Sequence, residues 1–197
     1  MSIVLLGSTS GSCTLQEQAV AGTSVLTLPV GTGTVVANNV NSAIVSGTAI
    51  ASTSGTSVDF TGIPSWVKRI TVMFQGVSTS GTSIELLQLG VSGTPQTTGY
   101  TGSYSEYASS VSTSAISQTG FPFASGAAAA YTANGQLTLC LLNSNVWTIS
   151  STLSSNPGRQ AICYGSVALS GTLNMIRITT VNGTDTFDAG TINILYE

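Results

Sequence analysis

An all-β fold is what the sequence predicts: an antiparallel β-sandwich of jelly-roll type, residues 51–197, preceded by an extended N-terminal arm, residues 1–50. Three observations predict it. Apolar and polar residues alternate at a two-residue period, most clearly where Ile70, Val72 and Phe74 alternate with Thr71, Met73 and Gln75. Clusters of Ser, Gly, Asn and Pro recur at about ten-residue spacing, the rhythm of a sandwich or barrel. No stretch carries the 3.6-residue period of an amphipathic helix of useful length. Ser, Thr and Gly supply 81 of the 197 residues and charged residues 6%, a bias that suits disorder. Hydrophobic content of 42% and a mean hydropathy of +0.37 outweigh it and favour a folded core.

The arm consists of short β-prone stretches, residues 3–6, 13–16, 25–28 and 34–37, separated by Gly-Ser-Thr turns and by Pro29. Each is too short to bury much by itself. Their backbone groups need partners, so the arm is expected to add strands to a neighbouring subunit, with Val25, Leu26, Thr27 and Leu28 as contacts.

From Ser54 the pattern strengthens. Residues 56–60 read as a strand, Gly62, Ile63 and Pro64 as a turn, and residues 66–75 as a long strand. The turn 78–81 leads to residues 83–91, whose apolar residues fall on both faces, so this strand is either central or covered by a partner. Those two long strands are expected to form a hairpin. Residues 92–135 read as a long loop with weak strands, rich in Gly, Ser and Thr and carrying Tyr100, Tyr104, Tyr107, Phe121 and Phe123. Long loops are commonly functional, and aromatic rings among Ser, Gly and Asn make adaptable binding surfaces, so these five are the expected glycan-binding residues. Strands resume at 136–142, 146–153, 161–169, 173–181 and 190–196, about eight in the sandwich overall. The core is expected to gather Ile70, Val72, Phe74, Leu137, Leu139, Ile176, Ile178, Ile192 and Ile194. The recurring Ser-Thr-Ser-Gly at 8–11, 52–55 and 78–81 is unequally spaced and reflects turn bias, not a solenoid.

Chemistry is sparse. The chain has no His, which removes imidazole acid–base catalysis, the Ser-His-Asp and Cys-His arrangements and His-ligated zinc. Four basic residues and a net charge of −3 leave no electrostatic footprint for nucleic acid. Cys13, Cys140 and Cys163 have no metal-site spacing and read as reduced thiols; whether Cys140 and Cys163 meet is open. Asp185 and Asp188 are the only close carboxylate pair, and their expected role is to bind backbone N–H groups in a turn; glycosidase chemistry is a remote alternative. Lys68 and Arg69 are expected to pair with Asp59 or Glu85 across a sheet. No cofactor or metal is expected. The N-terminus lacks the basic region and apolar length of a signal peptide, and no run is long enough to span a membrane, so a soluble protein made in a cytoplasm is expected.

The stretches SVDFTGIPSWVKRITV and TTVNGTDTFDAGTINILYE resemble a module of virion proteins from tailed bacteriophages, particularly tail-fibre and related appendage proteins. The segment CTLQEQAVAGTSVLTLPVGTGTVV is similar to short segments that precede the globular ends of such fibres. The resemblance implies a non-enzymatic, β-structured virion component, commonly a homotrimer, made in the bacterial cytoplasm. It carries no catalytic residues. The partners it implies are further copies of the chain, other virion proteins of tail, baseplate or capsid, and a host surface glycan. A capsid decoration protein that clamps major capsid subunits with its arm is the alternative.

Overall fold

The computed structural model describes residues 2–6, 12–16, 44–108, 112–124, 129–155 and 158–197. The chain divides into two units, Met1–Val36 and Ala37–Glu197. In the first, β1 (Ser2–Leu6) pairs antiparallel with β2 (Ser12–Gln16), from Ser2 opposite Gln16 to Leu6 opposite Ser12. The first two β-prone stretches of the arm therefore supply each other's backbone partners, against the expectation that the arm cannot do so. Residues 25–28 and the contacts expected of them lie outside the described residues.

The second unit is an antiparallel sandwich, and among the described residues it has no helix. Its strands are β3 (Val45–Ser46), β4 (Ile50–Ala51), β5 (Val58–Thr61), β6 (Arg69–Thr79), β7 (Glu85–Val91), β8 (Thr94–Pro95) and β9 (Gly102–Tyr107). They continue with β10 (Ser112–Ser117), β11 (Phe121–Ala124), β12 (Ala133–Asn143), β13 (Val146–Ser155), β14 (Gln160–Ala168), β15 (Leu173–Thr180) and β16 (Phe187–Tyr196). One layer has the order β10-β9-β14-β13-β12-β6-β16-β3, with β4 also on β16; the other has β11-β7-β15-β5, with β8 on β7. The layers hold nine and five strands, not the four and four of an eight-stranded jelly roll. Both β3 and β4 pair with β16, so the sandwich begins before residue 50, where the change in composition had placed its start.

All nine expected core residues are buried, and they belong to one cluster fed by both layers. Phe74 of β6 meets Phe123 of β11 across the sandwich with ring centroids 4.9 Å apart. Burying each such side chain is worth about 1.5–3 kcal/mol.

The expected hairpin does not form. Strand β6 has both edges occupied, by β12 and β16, so the turn after it carries the chain across to the other layer. There β7 lies between β11 and β15, which settles its two apolar faces as those of a central strand. The corner is tight: a Cβ on Gly81 would collide with the carboxylate of Asp185. Residues 92–135, expected as a long loop with weak strands, contain the strands β8, β9, β10 and β11. Thr and Tyr favour strands once neighbouring strands offer a ladder, and that packing overrides the local turn preference of Ser and Gly.

Candidate functional site

Four of the five aromatic residues expected to bind glycan are buried in the core: Tyr100, Tyr104, Phe121 and Phe123. Tyr100 packs edge-on against Phe121 at 4.9 Å, and its hydroxyl bonds the backbone of Leu89. Only Tyr107 is exposed. The reason is strand geometry: Tyr104 and Tyr107 are an odd number of residues apart on β9, so they point to opposite faces of the sheet.

Tyr107 belongs to a patch that the sequence reading missed. On the outer face of the nine-stranded layer, Tyr107 (52% exposed) is joined by Ile116 (82%), Ile162 (39%) and Tyr164 (52%). The register assembles them: Ile116 and Tyr164 flank Ser103 from either side, Ile162 lies opposite Ser105, and Tyr107 lies opposite Gln160. Hydroxyls surround them, from Ser103 and Ser105 on β9 and from Ser150 and Thr152 on β13. Across the strands from β10 to β12 no charged residue occupies an outward position. Sequence could not reveal this patch, because Ala161-Ile162-Cys163-Tyr164 is apolar at every position and does not declare which side faces the core. Cys163 is buried and Cys140 is exposed, so these thiols are separate and both free.

A second surface lies on the outer face of the five-stranded layer. An open groove of about 340 Å³ is lined by residues that include Gln88, Thr97, Thr119, Arg177, Thr179 and Val181. Arg177 donates from Nε and Nη2 to the two carboxylate oxygens of Asp59 at 2.7 and 2.6 Å, a bidentate pair built by the register that sets these residues opposite each other on β15 and β5. Gln88, directly opposite Arg177 on β7, donates from Nε2 to the Thr119 carbonyl at 2.9 Å. The Thr179 hydroxyl donates to the Thr56 carbonyl at 2.8 Å.

Several of the remaining charges have structural partners. Arg69 pairs with Glu197, and Asp59 with Arg177, so the pairing expected of Arg69 with Asp59 or Glu85 is not made. Chain order misled here, since β6 and β5 lie in different layers. Arg159 donates to Glu106 at 3.3 Å and lies 4.8 Å from the centre of the Tyr131 ring. Asp185 accepts the Ser83 N–H at 2.9 Å and the Asn182 side-chain amide at 2.7 Å. The Asn182 bond first, and the Ser83 bond after it, hold its carboxyl below the usual range. Asp188 accepts the Ser78 hydroxyl. The two aspartates thus hold different parts of the fold. Glu85 is fully buried, with Oε2 unpartnered, and burial pushes its carboxyl up to about 8. No group of three His, Cys, Asp or Glu residues suited to a metal exists among the described residues. No family model, no curated protein and no solved structure matches the chain.

Proposed function

We propose that this chain is a non-enzymatic structural and attachment protein of a bacteriophage virion, of the tail-fibre or appendage kind, which associates as a homotrimer and recognises a host surface glycan. The observation that carries the reading is the outer face of the nine-stranded layer, where Tyr107, Ile116, Ile162 and Tyr164 stand exposed in a field of hydroxyls without charge. Contiguous exposed apolar side chains of this kind mark interaction surfaces. A face without charge meets its own copy with no like-charge repulsion, which favours another copy of the chain as the occupant. The edge strand β10 adds to this, since its register with β9 is free of bulges and it contains no Lys or Pro to discourage pairing. The sequence resemblance to appendage proteins points the same way.

Sedimentation of the purified chain tests the assembly half. A species of three 19.9 kDa chains is expected, and Ile116→Lys together with Tyr164→Lys should convert it to a folded monomer. A wild-type chain that stays monomeric at micromolar concentration overturns it. Attachment is tested by whether the purified protein binds host cells and whether it competes with virions for them.

A further inference from the structure

We propose that the groove on the five-stranded layer, between Arg177, Gln88 and Thr97, is a saccharide site for neutral, uncharged sugars. This deepens the attachment reading above and rests on it.

A sugar without charge presents neighbouring hydroxyls, each both donor and acceptor, and a patch of C–H groups. Its site therefore needs donors and acceptors side by side, fixed in place, with little net charge. The groove meets each requirement. Arg177 spends Nε and one Nη2 hydrogen on Asp59, and a guanidinium has five N–H donors, so three remain. Asp59 is not among the groove's lining residues, so the pair brings donors to the groove through Arg177 and leaves the acceptors to neighbouring side chains. Held bidentately, it is also stiff, which limits the entropy lost when a ligand binds.

The pair is neutral as a whole, and that decides the class of ligand. A groove built for a carboxylate or phosphate would present an unneutralised Arg or Lys. Arg177 is the only cation lining this one, and Asp59 neutralises it. Gln88 adds a buried amide whose Nε2 is fixed on the Thr119 carbonyl, leaving the Oε1 end for another partner. Thr97 contributes an exposed hydroxyl and Val181, half exposed, the apolar spot for a C–H face, while the Asn182 amide is engaged within its own turn.

Affinity electrophoresis of the full-length chain through native gels containing dextran, mannan or galactan, with alginate as the anionic comparison, tests the assignment. Retardation by at least one neutral polysaccharide and none by alginate is expected. Thr97→Trp places a bulky ring at an exposed position of the groove wall and should abolish the retardation. Arg177→Lys keeps the charge but loses the planar fork and should raise the polysaccharide concentration needed for half-retardation at least tenfold. Circular dichroism and sedimentation of both variants should match wild type; should Arg177→Lys fail to fold, Thr97→Trp alone decides. Retardation by a neutral polysaccharide that Thr97→Trp leaves unchanged, or retardation by alginate alone, overturns the groove assignment while leaving glycan attachment standing. No retardation in any gel overturns both.

Discussion

Tyr100 holds both backbone hydrogen-bonding groups of Leu89: the Leu89 N–H donates to the tyrosine hydroxyl at 2.8 Å, and the hydroxyl donates to the Leu89 carbonyl at 3.3 Å. The arrangement compensates for a short neighbour. Strand β11 pairs with β7 only along Glu85–Leu87, and past that point the tyrosine supplies the partner of the Leu89 N–H, while the carbonyl also accepts the Gln96 N–H at 2.8 Å. Tyr100→Phe keeps the ring against Phe121 and strands a buried N–H. It should lower stability by about 1–3 kcal/mol, read as a shift in urea midpoint at unchanged m-value.

Glu85 should make the protein less stable as pH rises. Its carboxyl is pushed by burial up to about 8 in the folded chain from an ordinary 4.5, so between those values the native state holds a proton that the unfolded state has released. Stability then falls with pH across that window, by at most about 1.4 kcal/mol per pH unit. Glu85→Gln should flatten the slope between pH 5 and 8. Urea titrations at several pH values check it, and an unchanged slope in the variant refutes the assignment to Glu85.

Asp185 contributes with the opposite sign. Its folded carboxyl lies below its ordinary value, so its stabilisation is present above the unfolded pKa and is lost as pH falls through the folded one. Asp185→Asn should weaken the acid limb of the pH profile, below about pH 4, and leave the alkaline limb to Glu85.

The corner after β6 depends on a missing side chain. Gly81→Ala should push the Asp185 carboxylate off the Ser83 N–H, at a cost of about 1–2 kcal/mol. In an Asp185→Ala background the same change should cost much less, because the obstacle and the bond have gone together; a double-mutant cycle measures the difference.

The thiols should differ in reactivity. Cys140 is exposed, whereas Cys163 is buried and its thiol is pushed up to about 12. Iodoacetamide at pH 8 should modify Cys140 in the native protein and reach Cys163 only on unfolding, as mapped by peptide mass spectrometry.

A great deal of the core was legible in the sequence. Where only one face of a strand is apolar, as at Ile70, Val72 and Phe74 or at Ile192 and Ile194, alternation names the buried side without any knowledge of neighbours. The absence of helix among the described residues follows from the same pattern together with the abundance of Ser, Thr and Gly. Turns were visible too, because Asn182-Gly183 and Asn143-Ser144-Asn145 have the backbone freedom that turns require, and Ser144 does take positive φ.

Tertiary structure alone decided which strands pair and which face of a doubly apolar strand meets water. Nothing local distinguishes a β6–β7 hairpin from a crossing between layers; that choice depends on β12 and β16 having already taken the edges of β6. Both candidate surfaces depend on such choices. The patch exists because β14 buries Ala161 and Cys163 and exposes Ile162 and Tyr164, and the groove exists because β15 and β7 set Arg177 opposite Gln88 from positions far apart in the chain. Local sequence encodes the period of a strand, whereas the partner across the ladder, set by long-range packing, determines what that period displays.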